Sequence, residues 1–345
     1  MDVKEKNNDN FYSDVESVLL NSTNVRDEKY DLSIMIPTYR RNKYLMECLD
    51  SAVHQKPSNC KYEIVVINNE LDADFELIVE KYSKYSNVFF YANEKNIGMC
   101  GNINRCAVLA RSEFYAVLHD DDLLKEDYVL NMWDILKKYG TGKVGAIIAE
   151  RDYIYHEKND QIIKSKSFKN QIKSLIRKLY PEVTELTPKI VLKSWIKNYY
   201  LAPTCGTVFN REIFMNFGGY QECEYPYFDM SYFLRMNNEY NCYRANKILG
   251  TYRWINNASF MHDARVNTCA FRISLINYNY KDKELSNFFY RYNDILISME
   301  LKKYSVTEQN EIINRTGESI KSIPTNLFIA FKISNFVYRI LHGTV

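Results

Sequence analysis

A chain of 345 residues with 46% hydrophobic and 26% charged side chains can bury a sizeable core, which excludes global disorder. Forty-five basic side chains against 43 acidic ones leave a net charge of +2, too balanced for a dedicated nucleic-acid binder. No apolar run reaches the ~18 to 20 residues that span a bilayer, and MDVKEKNNDNFYSDVESVLL lacks the basic-then-apolar order of a secretion signal.

Residues 1–30 carry seven acids and four bases with no sustained period and read as an arm. The pattern changes at Asp31. Leu32-Ser33-Ile34-Met35-Ile36-Pro37 is a short apolar run closed by proline, as a buried strand should be. Tyr44, Leu45, Cys48, Leu49, Ala52 and Val53 then recur at helical spacing over 42–55. A strand over 63–67, a helix over 74–85, a strand over 88–91, a helix over 102–111 and a strand over 114–118 follow. Strand and helix in such alternation predict a layered α/β fold with a largely parallel central sheet flanked by helices. A helix over 128–139 and a strand over 144–149 come next. Residues 161–200 hold nine bases and two acids, which suits a solvated helical face or a surface facing anionic lipid or pyrophosphate. Beyond residue 263 the chain reads as a helical extension.

The eight cysteines include no C-x-x-C pair, so a ribbon or finger zinc site finds no support, and reduced thiols in a cytoplasmic setting are expected. The 29 tyrosines and 18 phenylalanines suit sugar-stacking sites and membrane margins as well as ordinary core filling.

Ligands of an open parallel sheet bind beyond the carboxyl ends of its strands. There the sequence places Pro37-Thr38-Tyr39-Arg40-Arg41, then Asn68-Asn69, then Asn93 to Gly98, then His119-Asp120-Asp121-Asp122. All four ends are polar. Three adjacent carboxylates raise one another's pKa unless a cation neutralises them, and oxygen ligands favour Mg²⁺ or Mn²⁺. A run of aspartates also suits the cap of a following helix. No G-x-G-x-x-G follows the first strand and no G-x-x-x-x-G-K-[ST] occurs anywhere, which disfavours dinucleotide and P-loop enzymes.

Taken in order, several segments resemble family 2 glycosyltransferases. They are Ser33 to Arg41 with its proline-threonine-tyrosine turn, Asn96-Ile97-Gly98 with Asn104, and Ala110 to Phe114 leading into His119-Asp120-Asp121-Asp122. Gly206 to Tyr220 and Tyr252-Arg253-Trp254 with Asn257-Ala258-Ser259 complete the likeness over residues 31–262. The resemblance implies a GT-A fold in a catalytic domain of residues 31–262, a nucleotide-sugar donor, a divalent metal and inversion at the anomeric carbon. Two departures stand out. Asn68-Asn69 replaces the acidic residue that usually holds the nucleobase, and Phe228-Asp229 replaces the usual Glu-Asp pair.

On that resemblance Asp229 is the expected general base, its pKa raised by the neighbouring Phe228. Metal binding falls to Asp122 assisted by Asp120. Donor binding falls to Pro37, Thr38, Arg40, Asn68, Asn96, Asp120, Asp121 and Arg253, with Asn68 at the base, uracil for the expected UDP-linked donor. Thr204, Cys205 and Gly206 are expected near the acceptor, a saccharide or lipid-linked saccharide, and His262 is weighed as an extra metal ligand against a structural role. Nucleic acid is not an expected partner. The rival readings are a glycoside hydrolase and a catalytically inactive carbohydrate- or nucleotide-binding protein of the same fold. From Ile320 to Val345 there are three bases and no acid, and the helix expected over 327–341 is apolar around most of its circumference. It suits contact with an anionic membrane surface, packing on its own domain, or a homo-oligomer.

Overall fold

A computed structural model describes residues 11–69, 73–156, 162–163, 181–188, 190–192, 205–254, 261–280, 287–323 and 325–341. Residues 11–30, expected as an arm, supply a short edge strand, β1 (Ser17–Leu19). Next come β2 (Leu32–Thr38), α1 (Asn42–Val53), β3 (Tyr62–Asn68) and α2 (Ala73–Tyr82). The alternation continues with β4 (Val88–Asn93), α3 (Gly98–Leu109) and β5 (Phe114–Val117). Strands β4, β3, β2 and β5 lie side by side in that order, all parallel. Every residue of β2 and β4 is buried, because helices cover both faces of the sheet. Ile34 and Ile36 join Leu45 and Leu49 of α1 in one core, whereas Met35 joins Ile103 and Cys106 of α3 in the other. The period of two in a strand thus divides β2 between two cores.

The second half completes the sheet with β6 (Leu123–Leu124), α4 (Tyr128–Tyr139), β7 (Val144–His156), β8 (Ile162–Ile163), β9 (Val183–Glu185) and β10 (Thr207–Asn210). Two helices, α5 (Arg211–Asn216) and α6 (Phe228–Met236), precede the long β11 (Asn241–Trp254). Along the sheet the order is β1-β4-β3-β2-β5-β10-β7-β11-β6. The central sheet is therefore largely parallel, as expected, with β10 inserted antiparallel between β5 and β7. Strand β11 runs parallel to β7 with register shifts near Ala245 and Ile248. These shifts break its alternation, which is why its sequence does not read as one strand.

The last quarter forms α7 (His262–Tyr280), α8 (Asn287–Leu301), α9 (Val306–Thr316) and α10 (Thr325–Leu341) around a third core containing Val266, Ile273, Leu301 and Phe331. Helix α9 starts at a full capping box, in which the Ser305 and Glu308 side chains and backbones satisfy each other. Among the described residues no helix is long and apolar enough to cross a membrane. Most of the basic stretch 161–200, Thr204 and the Asn257-Ala258-Ser259 segment lie outside the described residues.

Candidate active site

At the carboxyl ends of β2, β3, β4 and β5 a cleft of about 460 Å³ opens. Pro37, Thr38, Asn96, Asp120, Asp121 and Asp229 all line it, so the structure brings these expected site residues together. The turn after β5 is closed by the Asp122 N–H donating to the His119 carbonyl at 3.0 Å, which gathers the carboxylates at one edge. Asp120 accepts from the Thr38 hydroxyl at 2.7 Å, and Arg41 forms an ion pair with Asp121. Burial pushes the Asp120 carboxyl up to about 6 against the lowering effect of the Thr38 bond.

Asp122 is fully buried. Its Oδ1 accepts from the Arg253 N–H at 2.9 Å, while its Oδ2 is buried with no hydrogen-bond partner. Burial, with Asp121 beside it, holds this carboxyl well above the usual range. Ligand atoms of His119, Asp121 and Asp122 lie within 4.8 Å of one another. An orphaned carboxylate oxygen beside a second carboxylate and an imidazole suits a divalent cation. The converging set differs from the expected pair: Asp120 is turned to Thr38 instead, and His119 and Asp121 join Asp122.

Asp229 stands in the first turn of α6, where its Oδ1 accepts from the Met230 N–H at 2.7 Å. Burial raises it to about 6 in spite of that bond. On the cleft wall Asn69 ties the loop after β3 to the loop after β4. Its amide donates to Asn96 Oδ1 at 2.8 Å, and its Oδ1 accepts from Asn93 at 3.1 Å and from the Ile97 N–H at 3.0 Å.

Several expected residues take other places. Asn68 is 1% exposed and Asn69 lines the cleft in its stead, because neighbouring side chains at a strand end diverge. Arg40, at φ 54°, carries its guanidinium 5.1 Å above the Tyr39 ring, and Arg41 is the arginine that reaches the cleft. Arg253 is buried beneath the turn as a strut: its Nε donates to the Asp121 carbonyl at 2.8 Å, its Nη2 to Glu47, and it lies 4.9 Å from the Tyr44 ring. Cys205 and Gly206 are buried outside the cleft lining, with the Gly206 carbonyl accepting from the Tyr128 hydroxyl at 2.6 Å. At φ +80° and with a Cβ position only 2.8 Å from the Tyr128 ring, residue 206 suits glycine alone. His262 pairs with Glu311 on α9 at 2.9 Å, which gives it a structural partner among the helices.

Sequence reasoning missed the aromatic wall of Tyr220, Tyr225, Phe228 and Tyr252 facing the cleft. It also missed Arg151, buried between the Tyr153 and Tyr252 rings at 5.9 and 5.8 Å. The only signal available was the clustering of aromatics after Gly219.

The family model for glycosyl transferase family 2 matches residues 33–215, and the chain belongs to that family. It is 29% identical over 115 residues to the minor teichoic acid biosynthesis protein GgaB of Bacillus subtilis, a match covering 32% of this chain and 13% of GgaB. It is 27% identical over 175 residues to the poly(ribitol-phosphate) beta-N-acetylglucosaminyltransferase TarS of Staphylococcus aureus, covering 50% of this chain and 26% of TarS. The matches therefore span a minor part of these longer relatives. The fold is similar to that of S. aureus TarS 1–349 in complex with UDP-GlcNAc, with a TM-score of 0.53 at 16% identity over 86% of this chain and 82% of that one.

Proposed function

We propose that this enzyme transfers a sugar from a UDP-linked donor to a saccharide hydroxyl with inversion, using Asp229 as general base. The observation that carries the reading is one cleft lined by Asp120, Asp121 and Asp229, with Thr38, Asn69 and Asn96 at the strand ends. The acceptor hydroxyl gives its proton to Asp229 as its oxygen bonds to the anomeric carbon. The bond from that carbon to the diphosphate breaks, and the nucleoside diphosphate leaves from the opposite face. A carboxyl held near 6 is deprotonated at neutral pH yet basic enough to accept that proton. His119, Asp121 and Asp122 would hold Mn²⁺ or Mg²⁺, which supplies neutralisation of the negative charge gathering on the diphosphate. Arg41 is held on the same carboxylates and orients Asp121. The exposed Ile329 and Ile333 of α10 support work at the cytoplasmic surface of a membrane, beside a lipid-linked acceptor.

The test is nucleotide-sugar turnover with Mn²⁺ present. Asp229→Asn should lower kcat ~10²-fold or more with donor affinity near wild type. Asp122→Ala should abolish both turnover and Mn²⁺-linked UDP binding. Undiminished turnover in EDTA overturns the metal assignment, and a comparable loss of donor affinity in Asp229→Asn overturns the base.

A further inference from the structure

Beside Asp229 the cleft carries a large side chain that is exposed and yet firmly supported. Tyr225 is 41% exposed and lines the cleft four residues before Asp229. Its ring lies 6.4 Å from that of Phe228 at an interplanar angle of 28°, and Phe228 lies 5.0 Å from Tyr220. The segment is pinned at both ends. The Tyr225 N–H donates to the Glu222 carbonyl at 3.0 Å and the Tyr227 N–H to the Glu224 carbonyl at 2.9 Å. The Tyr227 ring stacks on Phe271 of α7 at 4.1 Å and 2°. The Glu224 carboxylate accepts from the Ser231 hydroxyl at 2.8 Å and pairs with Arg235. A ring fixed in this way presents an apolar face into the cleft at little entropic cost.

Charge narrows what that face takes. Between Gln221 and Arg235 the charged side chains are Glu222, Glu224, Asp229 and Arg235, and Arg235 is committed to Glu224. The Glu222 carboxylate accepts from the Tyr12 hydroxyl at 3.3 Å. Cys100, on α3, registers this field: its thiol is pushed up to about 12, by burial first and then by Glu222, Asp229 and Glu224. Arg41, the cleft-lining arginine, is occupied by Asp121, and Arg151, whose charge reaches Asp229, is held against the Tyr153 and Tyr252 rings. A polyanionic acceptor would meet like charge here, whereas an uncharged sugar ring would meet an aromatic platform.

We propose that Tyr225 is the stacking platform for a neutral sugar ring of the acceptor. The enzyme would accordingly glycosylate an uncharged saccharide in preference to an anionic polyol-phosphate chain. This inference rests on the glycosyltransfer reading above. The full chain is tested with UDP-glucose, UDP-galactose and UDP-N-acetylglucosamine as donors, against p-nitrophenyl glycosides of neutral hexoses and against poly(ribitol phosphate). Wild type should use a neutral glycoside with kcat/KM at least tenfold above that for poly(ribitol phosphate). Tyr225→Ala should raise the KM for that glycoside at least tenfold, about 1.4 kcal/mol, with kcat moved less. Tyr225→Phe, which keeps the ring, should restore KM to within threefold of wild type. UDP binding, followed in each variant, reports whether the fold is intact. Preference for poly(ribitol phosphate), an unchanged KM in a UDP-binding Tyr225→Ala, or donor binding with transfer to no neutral glycoside each overturns the platform. A wild-type chain that binds none of the UDP-sugars overturns the glycosyltransfer reading itself.

Discussion

A carboxyl group in the mouth of an aromatic cleft loses solvation faster than one backbone N–H can compensate, and Asp229 accordingly sits near 6. A base works only when deprotonated. Turnover should therefore be level above about pH 7 and fall as pH drops through 6, instead of through the ~4 of an ordinary aspartate. Asp120 titrates in the same range, so the part of the acid limb that vanishes in Asp229→Asn is the part that belongs to the base. A kcat profile still level at pH 5 would remove Asp229 from that role. At this scale the sequence identified the loops but not always the residue within them. Polar strand ends pointed to 37–41, 68–69, 96 and 119–122 because an apolar sheet has no other use for such termini. Which of Asn68 and Asn69, or of Arg40 and Arg41, faces the ligand depends on one peptide's φ and ψ, and no pattern encodes that. Tyr225 was hidden for a different reason: with 29 tyrosines in the chain, composition cannot distinguish a platform from filling.

At the scale of elements, the strongly periodic segments were legible and the short or irregular ones were not. Strands β2 to β5 read correctly since both faces are apolar, while β10 is four residues long and β11 carries bulges. The N-terminal segment reads as an arm because the strand in its described residues, β1, has three residues. What fastens it is an ion pair. Arg26 donates from Nε to Glu63 Oε2 at 2.6 Å and from Nη2 to Oε1 at 2.9 Å, with the side chains 4% and 0% exposed. Glu63 also accepts from the Ser33 hydroxyl at 2.5 Å and the Arg111 N–H at 3.1 Å, so it bridges the segment, β2 and the end of α3. Removing one partner of a buried pair strands the other charge, at a cost of ~3 to 5 kcal/mol. Arg26→Ala should lower the free energy of chemical denaturation by about 3 kcal/mol, and Arg26→Ala/Glu63→Gln should recover part of the loss. A change under ~1 kcal/mol in the single variant would show that the segment is not fastened there.

Among the described residues two cores lie around one sheet and a third among α7 to α10. The helical character of this last quarter was legible from periodicity. Which residues of the first half of α10 pack and which are exposed was not, since 11 of its 17 positions are apolar and they surround most of the helix. Phe331 is buried and Leu327 and Phe328 pack beside it, while Ile329 and Ile333 are 52% and 59% exposed next to an exposed Lys332. Met261, Val306 and Ile320 are also exposed in this quarter of the chain. Apolar side chains beside a cation, in a stretch from 320 to 345 with three bases and no acid, suit an anionic lipid surface. The full-length protein should sediment with vesicles containing phosphatidylglycerol, less with pure phosphatidylcholine, and less again at high salt, since each basic residue contributes about 1 kcal/mol. Ile329→Glu/Ile333→Glu should remove that sedimentation, and both positions are exposed, so folding and UDP binding should survive the change. Equal binding to neutral vesicles would reject the electrostatic part of the argument. A wild-type chain that stays in the supernatant would reject the membrane reading altogether.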